Sequence, residues 1–134
     1  MSTALNPYLT FPGNAKEAME TYARVFGGEL SLSTFGQFGA EGMPADGVMH
    51  ASLPTPAGTL MASDAAPGQG EFVRGNGVTL SLSGDDETAL RGWFEALAEG
   101  GTVTMPLEKQ VWGDVYGQLT DRFGVAWMVN IVAA

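Results

Sequence analysis

Few residues of this chain could do chemistry, and one of them is a lone histidine. His50 is the single histidine among 134 residues, and cysteine is absent. Because a histidine ring changes its charge close to neutral pH, His50 is the candidate for general acid–base catalysis. Such a base needs a carboxylate to orient it, and Asp64 and Asp114 are the candidates. The alternative is that His50 only satisfies a structural hydrogen bond within a strand.

A second candidate group lies near the end of the chain, between Trp112 and Tyr116. In a functional interpretation, Trp112 and Tyr116 form an aromatic wall over a ligand, and Asp114 accepts the polar hydrogens of that ligand. In a structural interpretation, Gly113 and Gly117 permit tight turns and Asp114 caps loop amides. Both interpretations stay open at the level of sequence.

Composition and missing motifs exclude several classes of protein. One histidine without cysteine cannot build a zinc site with several imidazoles or a two-histidine iron site within one chain. Phosphate-loop, dinucleotide-binding and serine-hydrolase signatures are missing. Fifteen acidic and six basic residues give a net charge of -9 at pH 7, which opposes nucleic acid and anionic membranes as partners. Without a long apolar run or a signal segment, a cytoplasmic location is expected.

The pattern of the chain predicts the elements that must position these residues. Tyr8 to Phe11 alternates polar and apolar residues as a strand does, and Asn14 with Glu17 forms a capping-box pattern before a helical stripe. Asp85 and Asp86 are expected to cap a second helix. In the first half, three strands are predicted after the helix, at 30–35, 48–53 and 59–63. In the second half, an opening strand is predicted at 79–83, before the second helix, and three more strands follow that helix at 102–105, 116–120 and 126–132. Residues 36–47 are predicted to form a mobile loop.

These elements repeat along the chain. At a constant offset of 71 residues, Leu9 matches Leu80 and Gly13 matches Gly84. We therefore predict one domain over residues 1–134, with a first module at about 4–64, a linker at about 65–76 and a second module at about 77–134. With 45% hydrophobic residues the chain can bury a core.

Four segments carry a resemblance to a known family. They are NPYLTFPGNAKEAMETYARVFGGEL, MHASL, GTLMASD and WGDVYGQLTDRFGVAWMVN. They resemble the PhnB-like branch of the vicinal oxygen chelate superfamily, which contains glyoxalases, bleomycin-resistance proteins and dioxygenases. The resemblance implies an α+β fold in which two paired βαβββ modules form a cupped mixed sheet, and it implies a homodimer.

The same resemblance can be compared with the metal site of the superfamily. In metal-dependent members, the first strand of each module offers a histidine or glutamine and the last strand offers a glutamate. Here Tyr8, Thr10 and Thr79 stand in the first strands, and Met61 and Met128 stand at the glutamate positions. Because thioethers do not hold a hard divalent cation, we expect no metal and no cofactor.

Without the metal site, the resemblance still implies a cup that suits a small organic molecule. Thr79, Ser81 and Ser83 share one predicted wall, where burying an unpaired hydroxyl costs about 1–3 kcal/mol, so water or ligand is expected there. The expected lining comprises Tyr8, Thr10, His50, Ser52, Met61, Ser63, Thr79, Ser81, Trp112, Asp114, Tyr116 and Met128.

Three hypotheses for function follow. The first is a metal-independent binding protein for a small, partly aromatic or planar molecule, in a sequestering, resistance-type role. The second is a lyase, isomerase or dioxygenase-like enzyme that uses His50 or an atypical metal site. The third is a structural or regulatory dimer whose cup is filled, with Met61 and Met128 as the plug.

Overall fold

The computed structural model describes residues 3–39, 42–65 and 71–133. The chain divides into two compact units between Val73 and Arg74, within the predicted linker, of which residues 66–70 lie outside the described part. In the predicted loop at 36–47, Gly36–Phe38 forms a short 3-10 helix, and residues 40–41 lie outside the described part. The single-domain organisation stays a prediction.

The first unit is a four-stranded sheet with one helix. Its elements are β1 (Tyr8–Phe11), α1 (Ala15–Phe26), β2 (Ser31–Thr34), β3 (Val48–Thr55) and β4 (Gly58–Asp64). The strand order is β1-β4-β3-β2. β1 runs parallel to β4, whereas the other neighbours are antiparallel. The predicted order of strand, helix and three strands is confirmed for this unit.

The core of the first unit lies between α1 and one face of this sheet. Met19 and Tyr22 recur at helical spacing on α1 and are fully buried, as are Phe11 on β1 and Leu53 on β3. Because side chains alternate along a strand, the residues between these buried positions point to the other face. That other face is made of polar and thioether side chains.

The start of α1 differs from the prediction. Asn14 occupies the N-cap position, but its side chain makes no capping hydrogen bond. The buried carboxylate of Asp64, the last residue of β4, accepts instead from the backbone N–H of Ala15 at 2.9 Å. The capping-box prediction is therefore wrong, and the first amide of the helix is bonded by a carboxylate from a distant strand.

The second unit repeats this architecture. Its elements are β5 (Leu80–Gly84), α2 (Glu87–Ala98), β6 (Thr102–Lys109), β7 (Val115–Thr120) and β8 (Ala126–Ile131). The strand order is β5-β8-β7-β6, with β5 parallel to β8. Two βαβββ modules with the same connectivity confirm the predicted α+β vicinal oxygen chelate fold.

The core of the second unit is built as the repeat predicts. Leu90, Phe94 and Leu97 on α2 are buried, while Trp93, which the repeat offset of 71 matches with the buried Tyr22, is half-buried. As expected, Asp86 caps α2, since its carboxylate accepts from the backbone N–H of Ala89 at 3.1 Å. Asp121 is buried beside this core and accepts from the indole N–H of Trp127 at 2.9 Å.

The two helices are short and amphipathic. Within residues 3–39, 42–65 and 71–133, no helix is long and apolar enough to cross a membrane.

Candidate functional site

The candidate residues of the first module share the sheet face that is turned away from α1. The register places Tyr8 opposite Met61 and Met61 opposite Ser52, and it pairs His50 with Ser33 on β2. Residues directly opposite in neighbouring strands point to the same side of a sheet. We call this surface the first distal face; it comprises Tyr8, Thr10, Ser31, Ser33, His50, Ser52, Met61 and Ser63.

His50 finds an aromatic partner on this face rather than a carboxylate. The hydroxyl of Tyr8 lies 3.3 Å from Nδ1 of His50, and the two ring centroids are 5.7 Å apart. His50 is half-buried, whereas Tyr8 is 50% exposed. This pair can exchange a hydrogen bond in either direction, according to which ring nitrogen carries the proton.

The expectation that Asp64 orients His50 is wrong. The Asp64 carboxylate points to the helix side of the sheet, where it accepts from the backbone N–H groups of Ala15 and Val48. Its side chain is buried. Asp64 therefore holds α1 and the start of β3 together and takes no part in the first distal face.

The second module has an equivalent surface turned away from α2. In β8, Met128 lies between Ser81 of β5 and Gln118 of β7, and Asn130 lies between Ser83 and Tyr116. Beyond β7, the register of β6 places Met105 opposite Gln118 and Glu108 opposite Tyr116. We call this the second distal face; it comprises Ser81, Ser83, Met105, Glu108, Tyr116, Gln118, Thr120, Met128 and Asn130.

A hydrogen-bonded chain runs through the centre of the second distal face. The side-chain amide of Gln118 donates to the hydroxyl of Tyr116 at 2.7 Å. That hydroxyl also lies 3.8 Å from the sulfur of Met128. All three side chains are half-buried. The phenol of Tyr116 is thus held in a fixed position, with a soft, polarisable thioether beside it.

Trp112 stands at the edge of this chain. It lies in the turn between β6 and β7, is 59% exposed, and meets the ring of Tyr116 edge-on at a centroid distance of 5.9 Å. Trp112 and Tyr116 are thus in contact, as an aromatic wall would require, and the wall itself stays a prediction. The exposed indole adds apolar aromatic surface next to Tyr116.

Asp114 has its two oxygens engaged within the protein. One accepts from the side-chain amide of Asn130 at 3.0 Å and the other from the backbone N–H of Ala133 at 3.0 Å. The Asn130 hydrogen bond, and then the Ala133 hydrogen bond, lower the pKa of Asp114. These contacts match the structural interpretation, in which the carboxylate caps backbone amides.

The two glycines of the same segment behave differently. Gly113 has a φ of +104° in the turn, as the structural interpretation expects. Gly117 lies inside β7, so its predicted turn is wrong. A Cβ at Gly117 would sit 2.8 Å from Cα of Leu107. Glycine is needed there because β6 approaches β7 too closely for a side chain.

The predicted wall of buried hydroxyls is also corrected. Thr79, Ser81 and Ser83 are all exposed, because they lie on or just before β5, which is an edge strand of its sheet. Thr79 precedes the strand, which begins at Leu80. Their hydroxyls can bond to solvent, so they do not by themselves demand a ligand.

The donor set does not fit a divalent cation. Met61 lies opposite Tyr8 in the first sheet, and Met128 lies opposite Ser81 in the second. The repeat offset of 71 matches Ser81 with Thr10, so the two methionines do not have equivalent partners. The described ranges contain no group of three or more His, Asp or Glu side chains that could hold a metal ion. Thioethers and single hydroxyls are poor ligands for a hard cation.

Several residues of these faces, among them Gln118, Asn130 and Ser33, were not among the predicted site residues. Gln118 and Asn130 lie two positions along the strand from Tyr116 and Met128, and Ser33 lies opposite His50. The first two could have been found, since residues two apart in a strand share a face. Ser33 required the strand register, which the sequence alone does not supply.

Comparison with known proteins agrees with this architecture. The profile of the Glyoxalase/Bleomycin resistance protein/Dioxygenase superfamily matches residues 4–129. Protein YjdN of Escherichia coli K12 is 33% identical over 96% of this chain and 95% of its own length.

Two solved structures extend the comparison. Protein PA1353 from Pseudomonas aeruginosa is 40% identical, with a TM-score of 0.82 over 99% of this chain and 100% of that one. The PhnB protein from Bacillus cereus is 26% identical, with a TM-score of 0.80 over 97% and 100%. From its two βαβββ modules and these matches, the chain belongs to the glyoxalase, bleomycin resistance and dioxygenase superfamily, in its PhnB-like branch.

Proposed function

We propose that this protein binds a small, partly aromatic or planar organic molecule without a metal ion, in a sequestering, resistance-type role. The observation that carries the proposal is the half-buried chain of Gln118, Tyr116 and Met128 on the second distal face. A phenol, an amide and a thioether fixed side by side resemble the lining of small-molecule sites, which combine apolar surface with a few placed polar groups. The superfamily also includes bleomycin resistance proteins.

The donor set supports binding rather than metal-dependent catalysis. Met61 and Met128 offer thioethers, and the carboxylates of Asp64 and Asp114 are engaged with amides of the protein. A metal that polarises the substrate would need oxygen or imidazole ligands in their place. Sulfur side chains instead make favourable contacts with aromatic rings.

A steric block of the second distal face tests the proposal. Ser81 lies opposite Met128 and is exposed, so Ser81→Leu adds bulk beside the chain without disturbing the core. Thr88→Leu is the control, because Thr88 is exposed on α2 and gains a comparable apolar group away from the face. The probes are bleomycin and a panel of planar aromatic compounds, with binding followed by calorimetry and by native mass spectrometry of the freshly purified protein.

The expected result is binding of at least one probe by the wild type and by Thr88→Leu, with about a tenfold or greater loss of affinity in Ser81→Leu. Equal affinity in all three proteins would contradict a site on this face. A stoichiometric divalent metal in the mass spectrum would contradict the metal-free part of the proposal.

An enzyme that uses His50 is the second candidate, favoured by the contact between His50 and Tyr8. A histidine beside a phenol can hold or move a proton on the first distal face. His50→Ala should then abolish turnover of a compound bound on the first distal face. Conversion of any retained molecule at the same rate by wild type and His50→Ala would remove His50 from the chemistry.

A further inference from the structure

We propose that Tyr116 is a hydrogen-bond donor to the ligand, that Gln118 positions it, and that the ligand is a neutral aromatic carbonyl compound. This inference rests on the binding function proposed above. It gives the second distal face a chemical preference, and it assigns a role to Gln118, which the predicted set of site residues did not include.

The direction of one hydrogen bond carries the first step. An amide nitrogen can only donate, so the 2.7 Å contact uses the Tyr116 oxygen as acceptor, and the phenol proton is donated to a second partner, here the sulfur of Met128. The hydroxyl also lies 3.8 Å from the sulfur of Met128, and a thioether is a weak acceptor. A ligand oxygen would be a better acceptor for this proton than that sulfur.

The charges around Tyr116 select a neutral acceptor. None of the residues of the second distal face is basic, and Glu108 lies directly opposite Tyr116 on β6. The one lysine of β6, Lys109, pairs with Val115 and points to the helix side. A carboxylate or phosphate ligand would therefore approach the Glu108 carboxylate with no basic side chain on the second distal face itself, which is unfavourable. A neutral carbonyl oxygen avoids this repulsion.

The surroundings of Gln118 favour an aromatic frame. Met105 and Met128 lie opposite Gln118 on its two sides, so two polarisable thioethers flank the amide. Trp112 adds an aromatic edge next to Tyr116. Thioethers pack well against aromatic rings and adapt to their shape. The face therefore combines one hydrogen-bond donor, the Tyr116 hydroxyl, with an apolar surface of thioether and aromatic groups.

A pair of probes separates the hydrogen bond from apolar contact. α-Tetralone and tetralin share one bicyclic aromatic frame, and only α-tetralone carries a carbonyl oxygen. Their affinities are measured by equilibrium dialysis for the wild type, Tyr116→Phe, Gln118→Glu and Gln37→Glu. Gln37 is exposed in the 3-10 helix of the first module, so Gln37→Glu adds the same charge away from the face.

The expected result is that the wild type and Gln37→Glu prefer α-tetralone over tetralin by about tenfold, the value of one hydrogen bond of ordinary strength. Tyr116→Phe loses the preference and retains the affinity for tetralin. Gln118→Glu also loses it, since a carboxylate accepts the phenol proton and withdraws it from the ligand. Nuclear magnetic resonance should show the Gln118 side-chain amide shifting with α-tetralone more than with tetralin.

The failures can be told apart. Equal binding of both probes by the wild type, or a preference that survives in Tyr116→Phe, would overturn the hydrogen-bond inference and leave small-molecule binding intact. A preference that survives in Gln118→Glu would overturn the positioning role of Gln118. No binding of either probe would overturn this inference. The proposed function would still stand if bleomycin or a planar compound bound the wild type and lost affinity in Ser81→Leu.

Discussion

The carboxylate of Asp64 and the backbone N–H of Ala15 form a buried hydrogen bond of 2.9 Å that joins the end of β4 to the beginning of α1. The second oxygen of Asp64 accepts from the backbone N–H of Val48 at 2.8 Å, at the start of β3. One side chain therefore satisfies two amides from two different elements. Hydrogen bonds to a charged acceptor contribute about 1.5–3 kcal/mol each.

Removing this carboxylate should destabilise the first module. We expect Asp64→Ala to lower the free energy of unfolding by about 3 kcal/mol or more, because two buried amides lose their acceptor. Urea denaturation followed by circular dichroism measures the change. Asp46→Ala is the control, since Asp46 is exposed, and it should change stability by less than about 0.5 kcal/mol. Equal stability of the two variants would mean that water replaces the carboxylate at no cost.

The Asp64 contact shows where prediction from sequence stops. Periodicity predicted α1, because its apolar residues recur at helical spacing, whereas glycine- and proline-containing turns predicted the strand that became β4. The capping prediction considered only neighbours along the chain, and it missed Asp64, 49 residues away, as the acceptor of the first helical amide. At α2, where Asp86 caps three residues ahead, the local rule was sufficient.

Gly117 provides a second prediction about stability. We expect Gly117→Ala to destabilise the second module by about 1–3 kcal/mol, since its methyl group would press on Leu107 and on the ring of Phe94. Gly92→Ala is the matched control, because a Cβ at Gly92 meets nothing within 4 Å. There alanine should stabilise α2 by about 0.5–1 kcal/mol. Thermal unfolding of both variants measures the two opposite shifts, and a stabilised Gly117→Ala would refute the close approach of β6.

Asp121 carries the third prediction. Its oxygens accept from the backbone N–H groups of Phe123 and Val125 and from the indole N–H of Trp127. Asp121→Asn replaces one acceptor oxygen by a donor, so at least one of these N–H groups loses its bond to this side chain. We expect a loss of about 1–3 kcal/mol of unfolding free energy in urea. A changed emission of Trp127 should accompany it, and unaltered stability would show that the other acceptor suffices.

The fourth prediction concerns acid stability through Asp114. Its pKa is lowered below 3.8 in the folded protein, first by the hydrogen bond from Asn130 and then by that from Ala133. A lowered pKa contributes stability that is present above the unfolded value and is lost as the pH falls through the folded value. Asp114→Asn should therefore cost most at neutral pH, and the difference from the wild type should shrink below pH 3.8.

Urea midpoints of both proteins over this range measure the effect. Asp46→Asn serves as the comparison, since it should differ from the wild type by a small amount at every pH. A wild-type advantage over Asp114→Asn that stays constant down to about pH 2 would contradict the assignment to this carboxylate.

The sequence pattern predicted which residues share a sheet face better than it predicted their hydrogen-bond partners. Alternation along the strands correctly placed His50, Ser52, Met61 and Ser63 on one face. The partner of His50 was missed because Tyr8 reaches it across β4, a relation that depends on strand order and register. Asp114 was assigned correctly only in its structural alternative, because its partners at 130 and 133 lie at the end of β8 and just beyond it, with β7 between Asp114 and them in the sequence.

The long reach of Asp64 has a consequence for the order in which the first module assembles. During synthesis α1 emerges well before residue 64. The backbone N–H of Ala15 therefore forms its bond to the Asp64 carboxylate only after β4 has been made. The helix at the beginning of this chain is therefore completed by the last strand of its own module, and folding of that module is tied to long-range closure. The second module, whose helix is capped by its own preceding residue, can begin from its helix.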